Sequence, residues 1–161
     1  MKIEGNHRFD ASQQEVWEML MDPENIIIIR KAMPGVKEWK EVGPDQYEVT
    51  IKIAVAGIGG TYSGKVALMD HQPPHRYRLT MEGGGTMGFV KGEGEVDLSP
   101  DNDKTMMHYV GNAELGGTLA SVGQRLAGVL AKPLINQSLK TLDKQLKESR
   151  ELASNVSTHL D

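Results

Sequence analysis

The stretch GGGTMGFVKGEGEV, residues 83–96, is the strongest indication of the fold, because it is dense in glycine although its flanks have the pattern of β-strands. Glycine weakens a strand and usually marks a bulge, a sharp bend or a close approach to the backbone. A second run, GIGGTYSG at residues 57–64, has the same character one hairpin earlier. Two bent hairpins followed by one long amphipathic helix predict a curved sheet wrapped around a helix, with space between them.

Alternation of apolar and polar residues predicts the strands of this sheet. From Val36 onward the alternation has a period of two, which is typical of strands buried on one face and exposed to solvent on the other. Short turns such as Gly43-Pro44-Asp45 and Gln72-Pro73-Pro74 separate the segments, so consecutive strands should be antiparallel neighbours. The predicted strands are residues 2–9, 36–42, 47–55, 61–71, 75–86, 89–98 and 104–114.

Two short helices are predicted after the first strand. Residues 12–15, Ser-Gln-Gln-Glu, fit a capping box, in which each end satisfies backbone groups of the other. The helix that they begin should run to about Met21. Asp22 then serves as the N-cap, and Pro23 as the first residue, of a second short helix that ends near Pro34.

The last third of the chain has a helical period. After Gly116-Gly117-Thr118, apolar residues recur every three or four positions, as in an amphipathic helix. Pro133 lies inside this pattern and should kink or split the helix. Residues 151–161 are rich in Ser, Asn and Thr, have little periodicity and are predicted to fray. We therefore predict one domain over residues 1–150 and a frayed tail over residues 151–161.

Composition excludes several classes of protein. The chain has 161 residues, enough for one domain with a sizeable core, and a formal net charge of −4, which argues against a nucleic-acid partner. It has no cysteine, which excludes disulfides and thiolate chemistry and fits a reducing cytosol. The N-terminus lacks the apolar core of a signal peptide, and the aliphatic run Ile26–Ile29 is far too short to cross a bilayer.

Four segments, in their order and spacing, carry a resemblance to a known family. They are Asp22-Pro23 with Met33-Pro34-Gly35-Val36, residues 60–66 (GTYSGKV), residues 88–94 (GFVKGEG) and residues 116–126 (GGTLASVGQRL). With them the chain resembles the G-subunit family of carbon monoxide dehydrogenase, in the START-like (SRPBCC) helix-grip superfamily, over about residues 2–150. The resemblance implies an α+β helix-grip fold, in which a curved antiparallel sheet wraps around a long C-terminal helix.

The resemblance also implies a function. It implies a non-catalytic accessory protein of a molybdenum-hydroxylase-type dehydrogenase, which helps that enzyme to associate with the membrane. It further implies an apolar cavity for a lipid- or quinone-like molecule, and no cofactor. On this hypothesis the protein is cytoplasmic, with peripheral contact at the inner face of the membrane. The alternatives are an enzyme of the same fold acting on an aromatic or polyketide-like substrate, and a protein-binding adaptor with a filled core. The ligand and the oligomeric state stay open.

A closed curved sheet with one covering helix should enclose more volume than small side chains fill, and apolar residues should line that volume. A solid core built from the same residues is the alternative. Arg125, next to Leu126, could turn toward the mouth of the cavity and hold a carbonyl or carboxylate of the ligand; a surface arginine is the favoured alternative. The predicted lining is Ile53, Val55, Tyr62, Met81, Met87 and Phe89 on the sheet, Leu119, Val122, Leu126 and Val129 on the helix, and Ile27 at the lid.

Polar residues suggest fewer sites. His7 and His108 lie on the first and last strands, which are close in this fold, but a catalytic pair would also need an orienting carboxylate, such as Glu4, Asp10 or Glu114. His71 and His75 flank an exposed turn and would supply at most two ligands to a metal, below the number that zinc requires. Ordinary surface histidines are the favoured interpretation, and no metal site is predicted.

Overall fold

A seven-stranded antiparallel sheet dominates the computed structural model, which describes residues 1–25, 30, 33–54 and 59–160. The strands are β1 (Lys2–Phe9), β2 (Val36–Gly43), β3 (Gln46–Ile53), β4 (Gly60–Gln72), β5 (Arg76–Gly85), β6 (Gly88–Asp101) and β7 (Lys104–Gly117). Their order across the sheet is β1-β7-β6-β5-β4-β3-β2, so only the first strand leaves its chain neighbour and pairs with the last. The predicted antiparallel sheet of the helix-grip fold is confirmed.

The first helix, α1 (Gln13–Met21), begins as its sequence predicts. The Ser12 hydroxyl accepts a hydrogen bond from the Glu15 backbone N–H at 3.2 Å. Asp22 then caps a single 3₁₀ turn at Pro23–Asn25, where its carboxylate accepts the N–H of Glu24 at 2.9 Å. The predicted second helix continued into Ile26–Ile29, which lie outside the described residues.

The C-terminal helix is divided into α2 (Thr118–Val122), a π-helical turn (Ala127–Ala131) and α3 (Lys132–Leu160). Pro133 has no N–H to donate to the carbonyl of Val129, and its ring would clash with that carbonyl in a regular helix. The wider π turn just before it, in which the Lys132 N–H donates to the Ala127 carbonyl, relieves this conflict. The predicted irregularity at Pro133 is therefore present.

One other feature of this helix was not predicted. A second break lies at Gly123, whose φ of +50° is in the left-handed region that favours glycine. The tail over residues 151–161 overlaps α3, which continues through Leu160, and its fraying stays a prediction.

Two hydrophobic cores lie on the inner face of the sheet, which is the face toward the helices. The α1-side core consists of Phe9, Ala11, Val16, Trp17, Met19, Tyr77, Val96, Leu98, Met107, Tyr109, Leu139 and Leu142. The α2-side core consists of Tyr62, Leu119 and Leu126, with the partly buried Met1, Ile51, Ile53, Met87, Val90, Leu115, Val122 and Leu130 packed against it. The first core closes one end of the sheet and the second closes the other.

A glycine pair lets the sheet bend between its two ends. Gly64 on β4 pairs with Gly83 on β5, and a Cβ on Gly83 would lie only 2.9 Å from the Ser63 carbonyl oxygen. A Cβ on Gly64 would overlap the Glu82 carbonyl oxygen and would lie 2.7 Å from the Cα of Gly83. The two backbones therefore approach too closely for any side chain, as the glycine-dense runs predict.

We expect Gly64→Ala to lower the free energy of unfolding by about 1–3 kcal/mol, because the added methyl group must displace backbone. Urea denaturation measures this change. Gly128→Ala is the matched control, since no atom lies within 4 Å of its added Cβ. The control should be neutral or slightly stabilising, as alanine is the better helix former. Equal effects of the two substitutions would contradict the bend.

Candidate functional site

Between the two cores lies a stretch of the inner face that belongs to neither of them among the described residues. The sheet register places Val66, Met81, Gly92 and Ala113 side by side on β4 to β7. In the described part of the chain, neither core includes any of the four. Met81 lies four residues after Tyr77 on β5, so both side chains point to the inner face. Tyr77 is buried, whereas Met81 is 43% exposed. The inner face thus has an opening floored by small or apolar residues.

A broad depression of about 970 Å³ is centred on this row of residues. Every residue of the row lines the depression, from Tyr47 on β3 through Val66 and Met81 to Ala113 on β7. The sheet curves around the helices, so its inner face is the concave one, and a hollow centred on an inward row lies on that face. The depression is therefore the volume of this opening. The enclosed cavity that the sequence predicts stays a prediction.

The strand positions on either side of this row carry mostly polar side chains. Side chains alternate between the two faces of a strand, so these neighbours point to the outer face, and mainly their backbone atoms border the inner one. They form the rows Glu48, Lys65, Glu82, Lys91, Glu114 and Gln46, Ala67, Thr80, Glu93, Asn112. The inner floor stays apolar although most of its sequence neighbours are polar or charged.

Two aromatic residues stand at the β2–β3 side of this opening. Tyr47 is the cross-strand partner of Val66, and Trp39 is the partner of Val49. The Trp39 and Tyr47 ring centroids lie 5.6 Å apart with an interplanar angle of 42°. Burial raises the pKa of the Tyr47 hydroxyl, and the carboxylates of Glu41 and Asp45 raise it further, so the phenol stays neutral.

The structure brings six of the predicted lining residues together, but in the α2-side core. They are Ile53, Tyr62, Met87, Leu119, Val122 and Leu126. Leu126 and Leu119 are almost fully buried there, while Val122 is partly exposed. None of the six borders the depression described above, and their contact with a ligand stays a prediction. Ile27 and Val55 lie outside the described residues.

The predicted inward position of Phe89 is wrong. The two-residue turn pairs Gly85 with Gly88, so the inward positions, which are odd-numbered on β5, become even-numbered on β6. Val90 accordingly packs against the α2-side core. Phe89 points outward, is 49% exposed and has its ring over Gly116, where a Cβ would overlap it.

Two predicted residues of the C-terminal helix are also exposed. Val129 lies in the π turn and is 63% exposed, whereas its neighbour Leu130 packs against the α2-side core. A π turn has more residues than an α turn, so it shifts which side chain faces the sheet. Arg125 is exposed beside the buried Leu126, and its predicted role at the mouth of the cavity remains a prediction.

The two strand histidines do not form a catalytic pair, because they lie on opposite faces of the sheet. His7 points inward, with its Nε2 3.3 Å from a carboxylate oxygen of Asp143 on α3. His108 points outward, with its Nε2 3.0 Å from Glu4 Oε1. Of the expected orienting carboxylates, Glu4 contacts His108, whereas the carboxylate beside His7 is that of Asp143, which was not predicted.

Among the described residues, no group of three or more His, Cys, Asp or Glu side chains is arranged to hold a metal ion. In the same part of the chain, no helix combines the length and the apolar character needed to cross a membrane.

Sequence reasoning missed Trp39, Tyr47 and Val66. The alternating sequence pattern did indicate that Trp39 and Tyr47 point to the inner face of the sheet. The neighbour that each would face depended on strand register across the sheet, which the pattern alone does not give.

We expect the pKa of the Glu4 carboxyl, which lies below its ordinary value chiefly because of the hydrogen bond from His108, to rise in His108→Ala. Carbon-detected NMR titration of the Glu4 carboxyl measures it. His75→Ala is the control, because His75 contacts Gln13 and not Glu4. An unchanged Glu4 pKa in His108→Ala would contradict the contact.

Comparison with known proteins agrees with this fold. The family model for the G subunit of carbon monoxide dehydrogenase (CoxG) matches residues 5–147, which confirms the resemblance expected from the four segments. The chain is similar to a solved conserved protein from Geobacillus kaustophilus, with 34% identity, a TM-score of 0.84, and coverage of 92% of this chain and 97% of that one. No curated protein sequence matches the chain significantly.

More distant solved structures share the fold alone. A START superfamily protein from Mycobacterium smegmatis is 15% identical, with a TM-score of 0.71 and coverage of 91% of this chain and 97% of that one. Norcoclaurine synthase from Thalictrum flavum is 13% identical, with a TM-score of 0.67 and coverage of 92% and 87%. These likenesses show that the chain shares the fold of those structures, and they carry no function to this chain, because one fold serves many functions.

Proposed function

Because the chain belongs to the G-subunit family of carbon monoxide dehydrogenase, we propose that it binds an apolar or amphipathic small molecule and does not change it chemically. The observation that carries this proposal is the opening between the two cores on the inner face. Met81 is half-exposed there although its strand neighbours Tyr77 and Leu79 pack in the α1-side core. Apolar surface left open inside a fold is the usual setting of a small-molecule site.

The composition of the opening favours binding over catalysis. Its floor of Val66, Met81, Gly92 and Ala113 offers no acid, base or nucleophile. Two histidines pack against the α1-side core instead: His7 contacts Phe9 with ring centroids 4.6 Å apart, and His71 contacts Trp17 with ring centroids 6.3 Å apart. General acid–base catalysis requires such a group within hydrogen-bonding reach of the reacting atoms.

The family supplies the finer part of the proposal. It takes its name from a subunit of carbon monoxide dehydrogenase, which supports a role as accessory protein to a molybdenum-hydroxylase-type redox enzyme. A lipid- or quinone-like molecule suits both an apolar opening and a redox partner near a membrane. The protein would then present this ligand to the enzyme, or help it to associate with the inner face of the membrane.

Native mass spectrometry of the freshly purified protein, compared with denaturing spectra and an organic extract, tests the proposal. We expect an apolar adduct of one molecule per chain that is released on denaturation. A protein that stays free of adduct, and that binds neither phospholipid nor menadione when these are added, would contradict it and would favour the adaptor with a filled core.

We expect Met81→Trp to reduce the adduct-bearing fraction at least tenfold, because the larger ring occupies the opening. Phe89→Trp is the matched control, since Phe89 is similarly exposed but lies on the outer face. Native spectra of both variants after incubation with menadione give the comparison. Equal retention by both variants would place the ligand outside the opening.

A further inference from the structure

The helices that cover the sheet carry positive charge, although the chain as a whole is acidic. Residues 115–142 contain no Asp or Glu, and residues 115–147 contain five basic residues against the single acid Asp143. This segment therefore has a formal charge of +4. Since the whole chain has a formal charge of −4, the residues outside the segment carry −8.

The one acid of this segment is turned inward and does not neutralise its exposed side. Asp143 Oδ2 lies 3.3 Å from His7 Nε2, and Asp143 Oδ1 accepts the Asp10 backbone N–H at 3.0 Å. Lys147 reaches toward the same place, with its Nζ 4.0 Å from Asp10 Oδ2. Acids resume on the exposed side of α3 only at Glu148.

Four exposed cations occupy the outer side of the helical cover. At about 100° per residue, the three lysines among them fall within about 120° of the circumference of α3. Leu139 and Leu142 of the α1-side core lie on the opposite side of this helix. The four residues, which we name the cationic helix face, are Arg125, Lys132, Lys140 and Lys144.

The cationic helix face has no internal compensation for its charge. None of its four residues takes part in an ion pair among the described residues. Lys140 and Lys144 are four residues apart, so their like charges face each other and slightly weaken the helix. A helix side that only meets water is better served by alternating signs. The arrangement therefore indicates an anionic partner.

An exposed aliphatic residue among the cations indicates which anionic partner fits. Val129 lies between Arg125 and Lys132 in the chain and is 63% exposed. At the surface of an anionic bilayer, phosphate groups attract the cations and the layer beneath accepts an apolar side chain. The acidic remainder of the protein is repelled by the same surface, which favours a single orientation.

We propose that the cationic helix face docks on an anionic phospholipid bilayer, with Val129 at the contact. The inference deepens the proposed function and rests on it for its purpose, because an apolar ligand of the opening would be exchanged with the same bilayer. The attraction is electrostatic, so added salt should weaken it.

Flotation with phospholipid vesicles tests the docking. We expect the wild-type protein to bind vesicles made of equal parts of phosphatidylglycerol and phosphatidylcholine, and not vesicles of phosphatidylcholine alone. Each lysine beside an anionic bilayer strengthens binding about fivefold, so the triple variant Lys132→Gln, Lys140→Gln, Lys144→Gln should bind about 100-fold more weakly.

A second triple variant is the matched control, because it removes the same charge from the sheet. Its substitutions are Lys40→Gln, Lys65→Gln and Lys91→Gln, at lysines that are likewise exposed and outside the ion pairs of the described residues. These charges face away from the helices, so the affinity should stay within about threefold of the wild-type value.

A reporter tryptophan gives the orientation independently. The emission of Val129→Trp should shift to shorter wavelength when the anionic vesicles are added, because the indole enters a less polar layer. Phe89→Trp, on the outer face of the sheet, should not respond. A response of Phe89→Trp without one of Val129→Trp would overturn the assignment of the face.

The outcomes separate this inference from the proposed function. A wild-type protein that does not float with the anionic vesicles, or equal losses in the two triple variants, overturns the docking. Native mass spectrometry with menadione needs no vesicles, so the proposed function is judged separately. If the protein floats as expected but takes up no apolar adduct, the proposed function fails and the docking stands.

Discussion

The close approach of β4 and β5 at Gly64 and Gly83 is the constraint on which the inner face of the sheet depends. Backbone atoms of each strand occupy the positions that side chains of the other would take, so only glycine fits there. On either side of this pair, the sheet packs against a different part of the chain, α1 and α3 at one end and α2 at the other. Two cores result, and within the described residues neither includes the inward row between them.

The covering helix adapts to the same curvature through its two irregularities. The break at Gly123 separates α2, which packs into one core, from the long α3, whose Leu139 and Leu142 pack into the other. The π turn before Pro133 sets the rotation of the helix between them and turns Leu130 toward the sheet. In an unbroken helix, the apolar residues form one stripe that faces a single direction, so they would not face both cores at once.

The division of polar groups between the faces fits a protein that binds without catalysing. His108 and Glu4 pair outside, His7 faces Asp143 at the α3 end, and the floor of the opening is apolar. Buried ring nitrogens of Trp39, His7 and His71 have no hydrogen-bond partner within the described part of the chain. An apolar floor holds a ligand by packing and provides little means of transforming it.

The strands, the Ser12 cap, the irregularity at Pro133 and the helix-grip fold were all predictable from the sequence, because periodicity, capping and proline chemistry act between residues close in the chain. Four features became visible only in the folded chain: the outer position of Phe89, the exposure of Val129, the opposite faces of His7 and His108, and the unpaired indole of Trp39. Each of these depends on strand register or helix phase, and a shift of one residue reverses a side chain's direction. Register and phase are fixed by contacts between distant segments, which no local pattern contains.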